Sequence, residues 1–409
     1  MRKENIVLVI ILSVCLGSCV STTLQNNITQ IETNIKTSSY VDSLNHAMEG
    51  EYEKGNLPGF TTSVFTSDSI YFTKGYGFSN AETEQLYTEH TIQGIASISK
   101  TLLSIVLMKA VERGIVSLDD EINTILPFPV SNPSHEDTQI TLWHLATHTS
   151  SISDDGNYDK AYIFSKPLVK DEFPEAWHEH IKKYNKNQPI QMTVFLEKVF
   201  SEWKTEENFL PAKPGSKYEY SNIAAGLLGY CLELKIGKDY KELTKEWILD
   251  PLQMKNSGWD RKQLNQEKHI IYYNESYNPV PNYEVITYPD GGLYSTAYDI
   301  TIFLQDMIAG YQGKGKLLKP SSYATMMKNQ IPSLDTATGI IWDLDISCCI
   351  GHGGNDFGTA TLAYFVPESG IGKVLFTNIT TETEDIIDQF YGIFNKMFTY
   401  DGMITKDIK

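Results

Sequence analysis

Apolar and polar positions alternate differently along three zones of this chain. In the first, residues 40–54 read as a helix that stops near Gly55. Residues 60–65 and 69–75 then read as two strands around a tight turn at Ser67-Asp68. The second zone opens with residues 97–113, where Ile98, Leu102, Leu103, Ile105, Val106 and Leu107 leave almost no polar face. Such a helix is buried, and Gly114 supplies its stop. Helical patterns follow at 142–148, 192–203, 223–235 and 240–250. Strand patterns return past Leu293, at 339–342, 359–366 and 372–377, and residues 385–398 form a closing amphipathic helix. This order predicts an α+β fold, a sheet flanked by helices with a mostly helical lobe inserted in it. The sheet lobe takes about 40–95 and 285–400, the helical lobe about 96–284, and 401–409 is left as a tail. Residues 154–189 are polar and aromatic without a clean period, and read as an insertion at the rim of the substrate site.

At 409 residues the chain can bury a large core, and 41% hydrophobic with 21% charged residues is the composition of a folded protein. A net charge of −17 with no lysine and arginine cluster argues against nucleic acid as a partner. The N-terminus changes the picture more. Arg2 and Lys3 precede an apolar run over 6–14 that is too short to span a bilayer, and Leu16-Gly17-Ser18-Cys19 follows. Small residues before a cysteine resemble the bacterial lipoprotein signal. Residues 1–18 therefore read as a signal peptide, Cys19 as the lipid attachment site, and 19–39 as a flexible tether. The expected place is the cell envelope, anchored to a bacterial membrane. In a Gram-negative host Val20, rather than an aspartate, after the cysteine points to the outer membrane. Cys231, Cys348 and Cys349 show neither a disulfide framework nor a C-x-x-C metal spacing. They read as small apolar fillers, the adjacent pair facing opposite ways in a strand.

Ser97 and Lys100 are three apart, which sets an amine beside a hydroxyl on one helix face. A nucleophilic hydroxyl needs such a proton acceptor. Tyr220-Ser221-Asn222 and His352-Gly353-Gly354 complete a set suited to acyl transfer. Free lysine and tyrosine titrate near pH 10 (roughly 10.4 and about 10), so neither is a base at pH 7 until proximity or burial shifts it. Ser97, Lys100 and Tyr220 are the candidate catalytic residues, the last two taken as one coupled pair. His144 and His148 are four apart, but no acidic third ligand stands at a metal spacing. His178-Glu179-His180 is not H-E-x-x-H, so neither a metal nor another cofactor is expected. The absence of G-x-S-x-G argues against an α/β-hydrolase.

These motifs together resemble the serine beta-lactamase-related hydrolases, a group of class C beta-lactamases, D-alanyl-D-alanine carboxypeptidases, esterases and D-aminopeptidases. Residues 94–100, ending in Ser97-Ile98-Ser99-Lys100, are similar to the family's nucleophile motif. His144-Leu145-Ala146-Thr147-His148-Thr149-Ser150-Ser151 is similar to its HLLTHTSG segment, departing at Ala146 and Ser151. Residues 214–222 resemble PGxxxxYSN, and 291–299 resemble GGLYSTAxD. Gly351-His352-Gly353-Gly354 stands where the family has K-T-G or H-x-G. The resemblance covers nearly all of the mature chain. It implies a beta-lactamase/transpeptidase-like antiparallel sheet and an acyl-enzyme on Ser97. Tyr220 would protonate the leaving group, and Asn222 would orient Lys100 and the acyl side. The N–H groups of Ser97 and Asn355 would form the oxyanion hole, with Gly353 and Gly354 letting substrate lie close to the strand.

Gly353 replaces a threonine whose hydroxyl would bond a substrate carboxylate. Penicillins and D-Ala-D-Ala termini are therefore expected to be poor substrates. The expected partner is a small-molecule or peptide substrate, a small ester or a D-amino-acid amide or peptide. The alternatives are a true beta-lactamase or D-Ala-D-Ala carboxypeptidase, and a non-hydrolytic cell-wall sensor or scaffold.

Overall fold

The computed structural model describes residues 39–408 except 346–347. The expected signal peptide, Cys19 and all but the last residue of the tether lie outside the described residues. Seven strands form one antiparallel sheet: β1 (Gly59–Phe65), β2 (Ile70–Asn80), β3 (Gln85–Leu86), β4 (Asp343–Asp345), β5 (Cys349–Asp356), β6 (Thr359–Val366) and β7 (Ile371–Thr377). Their spatial order is β4-β5-β6-β7-β1-β2-β3. β1 is buried at all seven positions and lies between β2 and β7, with Phe60 opposite Thr377 and Phe65 opposite Gly372. Distant parts of the chain thus close one sheet, and the helical block between β3 and β4 is the inserted lobe.

The helices that position the site are α1 (Ser39–Tyr52), α2 (Lys100–Glu112), α3 (Leu142–Ala146), α4 (Asn222–Ile236), α5 (Ala297–Tyr311) and α6 (Glu384–Ile408). α1 and α6 cover one face of the sheet, packing Leu44, Met48 and Phe390 with Phe60, Val64 and Leu375. The other face, with Phe65, Val374 and Phe376, packs on a larger core that includes α2, α4 and α5. Helix starts follow side-chain chemistry. Ser221 Oγ takes the Ala224 N–H at 3.0 Å to cap α4, and Thr296 Oγ1 takes the Asp299 N–H at 3.0 Å to cap α5. Gly237, at φ 73°, ends α4 in the left-handed conformation.

Five local expectations are corrected. Residues 339–342 form a turn, in which the Gly339 N–H meets the Trp342 carbonyl at 2.8 Å, and the strand starts at Asp343. Ile340, Ile341 and Trp342 are all buried, and an apolar run buried in a turn has no period to betray it. The expected helix over 97–113 begins as a 3₁₀ turn, Ala96–Ser99, and becomes α-helical at Lys100. α6 runs to Ile408 and absorbs the expected tail. Cys348 and Cys349 are joined by a disulfide. Cys348 stands in the turn before β5, so strand alternation does not govern it. Residues 154–189 do not line the Ser97 cleft. They build a small core of their own, with Leu168, Phe173, Ile181 and Tyr184 packed near Tyr272 and Phe357.

Candidate active site

The 3₁₀ turn is what makes the Ser-x-x-Lys spacing work. Side chains three apart eclipse in that geometry, and Lys100 Nζ lies 3.0 Å from Ser97 Oγ. Ala96, just before the serine, is held at φ 47°, a conformation that costs an L-residue energy and needs support. The support is visible. The Ile95 N–H bonds the Leu293 carbonyl at 3.0 Å, and the Leu293 N–H bonds Ser99 Oγ at 3.0 Å. Gly354 of β5 lies against the same turn, where a Cβ would stand 2.6 Å from the Ile95 carbonyl oxygen. Only glycine lets β5 come this close, and Asn355 is carried beside Ser97 with it.

Lys100 is fully buried and donates all three of its protons. Besides Ser97, its Nζ meets Asn222 Oδ1 and the Asp290 carbonyl, each at 2.6 Å. Desolvation pushes its pKa down to about 8, against the pull of Asp290 and Asp154. A cation in the first turn of α2 also opposes the helix dipole, which acts in the same downward direction. Asn222 is itself held by Asp154, whose carboxylate takes the Asn222 N–H, the Asn222 amide, the Ile223 N–H and the Ser221 hydroxyl at 2.8 to 3.0 Å. Burial raises the Asp154 pKa while these donors lower it. The Asp290 carboxyl accepts from the Tyr158 hydroxyl at 2.8 Å and is pushed up to about 7 by burial.

The Tyr220 ring lies 4.9 Å from Lys100 Nζ and stacks on His148, centroid to centroid at 4.5 Å. Its hydroxyl is buried without a well-aligned hydrogen bond, although Ser97 stands close enough to act on its titration. Burial dominates and holds the phenol well above its ordinary value, so it stays neutral. His148 accepts the Ser221 N–H on Nδ1 at 3.2 Å, and burial keeps the ring uncharged. His352 is buried 6.2 Å from Tyr220, ring to ring, and its Nδ1 donates to the Gly353 carbonyl.

A cleft of about 620 Å³ opens over these groups. Ser97, Tyr220, Asn222, His352, Gly353, Gly354 and Asn355 all line it, and Lys100 lies beneath. Eight positions singled out in the sequence therefore meet in one place. Asp154, Asp290 and Asp343 were not singled out, and all three bear on the site. Asp154 lies 68 residues from Asn222, a separation that gives no local signal. His144 forms a capping box with Thr141 at the start of α3. Among the described residues, no group of three His, Cys, Asp or Glu side chains is placed to hold a metal.

The solved octameric penicillin-binding protein homologue from Pyrococcus abyssi shares this fold, with a TM-score of 0.69 at 22% identity over 88% of this chain and 77% of that one. In sequence the chain is 24% identical over 295 residues to Protein flp of Staphylococcus aureus (strain MW2), covering 71% of this chain and 52% of that protein. It thus spans about half the length of the flp proteins it matches. It is also 25% identical over 324 residues to the D-alanyl-D-alanine-carboxypeptidase/endopeptidase AmpH of Escherichia coli (strain K12), covering 73% of this chain and 76% of that protein. The family model described as Beta-lactamase matches residues 44–395, a span that holds the whole serine–lysine–tyrosine cleft. On that match, the chain belongs to the beta-lactamase family.

Proposed function

We propose that the protein is a serine hydrolase that cleaves an ester or amide bond through an acyl-enzyme on Ser97. One observation carries the reading: a buried lysine amine, with its pKa brought down to about 8, 3.0 Å from a serine hydroxyl. When that amine is neutral, two N–H groups stay on Asn222 and the Asp290 carbonyl, and its lone pair faces Ser97 Oγ. Ser97 attacks the carbonyl carbon as its proton passes to Lys100. The N–H groups of Ser97 and Asn355 receive the charge that develops on the carbonyl oxygen. Tyr220, a neutral phenol, gives its proton to the leaving oxygen or nitrogen as that bond breaks, and regains one from Lys100. Water then attacks the acyl-enzyme by the reverse use of the same groups, which releases the acid and restores Ser97.

The favoured substrates are small esters and amides without a free carboxylate. No lysine or arginine side chain lines the cleft among the described residues, and Gly353 brings no hydroxyl to it. Anchoring in the cell envelope through a lipidated Cys19 is part of the proposal and rests on the N-terminal sequence pattern. Among the described residues, no helix is long and apolar enough to cross a membrane.

The test offers purified protein p-nitrophenyl esters, a chromogenic cephalosporin and a D-Ala-D-Ala peptide. Ester turnover is expected to fall by about 10³-fold or more in Ser97→Ala. The cephalosporin is expected to turn over at least about 100-fold more slowly than the ester. No turnover of any probe, with no covalent adduct on Ser97 by mass spectrometry, would overturn the reading.

A further inference from the structure

Asp343, Gly351 and Tyr364 occupy one row across β4, β5 and β6. Residues paired in this way project to the same face of a sheet. Gly351 has no side chain, and the Tyr364 ring lies across it, where a Cβ would stand 2.4 Å from Tyr364 Cδ1. The Tyr364 hydroxyl thereby reaches Asp343 and donates to Oδ2 at 3.2 Å. That same hydroxyl is 3.5 Å from the place a Cβ on Gly353 would take. A carboxylate is therefore fixed beside the strand position that carries no side chain of its own.

Asp343, Gly353 and Tyr364 all border the cleft over Ser97. Lys373 is the cation of the same row, but it is 1% exposed, stands over the Phe398 ring at 4.0 Å and does not line the cleft. Direction along β5 decides which part of a substrate meets Asp343. Asn355 marks the oxyanion end. His352, with Tyr220 at 6.2 Å, marks the other end, where the leaving group takes its proton and departs. Asp343 lies beyond it, opposite Gly351. Tyr391, half exposed on α6, adds an aromatic wall to the same cleft.

Resting on the hydrolase reading above, we propose that Asp343, held across Gly351 by Tyr364, is a specificity residue that selects esters or amides whose leaving group carries a positive charge. A carboxylate together with aromatic walls attracts such a group and repels a carboxylate in the same place.

The test uses three acetyl esters of similar size, made from choline, from 3,3-dimethylbutanol and from 3-hydroxypropionate. Each competes with a fluorophosphonate probe for Ser97 in the full protein. Choline ester is expected to protect Ser97 at about tenfold lower concentration than the neutral ester, with the anionic ester weakest. In Asp343→Asn the ratio of choline to neutral ester is expected to fall to near one. Tyr364→Phe, which frees the carboxylate, is expected to reduce the ratio and reports independently if Asp343→Asn does not fold. Labelling of Ser97 with equal protection by the three esters, or with none, overturns this inference and leaves the hydrolase reading standing. A tenfold ratio that survives in Asp343→Asn overturns it also. No labelling of Ser97 overturns the hydrolase reading and the inference with it.

Discussion

One oxygen of Asp154 accepts both the peptide N–H of Asn222, at 2.8 Å, and its side-chain amide, at 2.9 Å. The amide cannot flip without breaking that second bond, so Asn222 Oδ1 is kept facing Lys100. The other oxygen takes Ser221 Oγ and the Ile223 N–H and caps α4. A single buried carboxylate therefore fixes the entry of the helix and the partner of the candidate base.

Replacing Asp154 by alanine is expected to cost about 2–4 kcal/mol of stability, since several buried donors lose their acceptor. Asparagine at 154 is expected to restore little, because its NH₂ group would face donors. Asp154 also raises the Lys100 pKa through its charge. In Asp154→Asn the acid limb of kcat/KM should move to lower pH, while kcat falls. A stability loss with an unmoved pH profile would reduce Asp154 to a helix cap.

The pH dependence of the wild type follows from Lys100. A neutral amine is needed, so kcat/KM is expected to rise through about pH 8, the value to which burial brings this lysine. Its folded pKa lies below the ordinary 10.5, so the unfolded chain holds the extra proton between about 8 and 10.5. This group therefore opposes folding below about pH 8, and the penalty lifts as pH rises through that window. Asp290 acts with the opposite sign: its carboxyl is raised from 3.8 to about 7, so stability drawn from it declines as pH rises between those values. Stopped-flow ester kinetics and urea titrations from pH 5 to 9 check both. A flat kcat/KM across pH 7 to 9 would show that Lys100 does not titrate in the step observed.

The sheet, the buried helix and the meeting of Ser97, Lys100, Tyr220 and Asn222 were legible in the residues. The buried helix and the Ser97–Lys100 pair rest on short-range patterns, an apolar run and a three-residue spacing, while the joining of Asn222 to Lys100 across 122 residues was what the family resemblance implied. The residues that escaped act over long separations. Asp154 has no period of its own, and Asp290 binds Lys100 through a backbone carbonyl, which no side-chain pattern can reveal. Asp343 stood just past the apolar run 339–342, which read as the strand itself. Only the sheet register, with Gly351 between Asp343 and Tyr364, gives that aspartate a role.

Two glycines of one motif are expected to behave differently. A Cβ on Gly354 would meet Thr361 Oγ1 at 2.5 Å and the Ile95 carbonyl at 2.6 Å, so β5 must retreat from the serine turn. Gly354→Ala is expected to lower stability by about 1–3 kcal/mol and to lose most activity as the oxyanion donors separate. A Cβ on Gly353 has only ordinary contacts, the nearest at 3.4 Å with Leu362. Gly353→Ala is therefore expected to keep its Tm within about 2 °C of the wild type. Equal Tm losses in the two variants would contradict the packing of β5 on Ile95.

The bridge between Cys348 and Cys349 is expected to contribute little to global stability. A disulfide stabilises largely by closing a loop in the unfolded chain, and the gain grows with the length of that loop. Neighbouring residues enclose no chain between them. Cys348→Ala/Cys349→Ala, or reduction of the wild type, is expected to cost less than about 1 kcal/mol, against the 2–4 kcal/mol usual for bridges that span longer loops. The bridge nonetheless sits between β4 and β5, the strands that carry Asp343 and His352. Its local effect belongs in substrate binding, so KM for a charged ester should change more than Tm does. Calorimetry and ester kinetics on oxidised and reduced protein separate the two. A Tm drop matching that of a long-loop bridge would mean that the cross-link holds the β4–β5 hairpin itself in place.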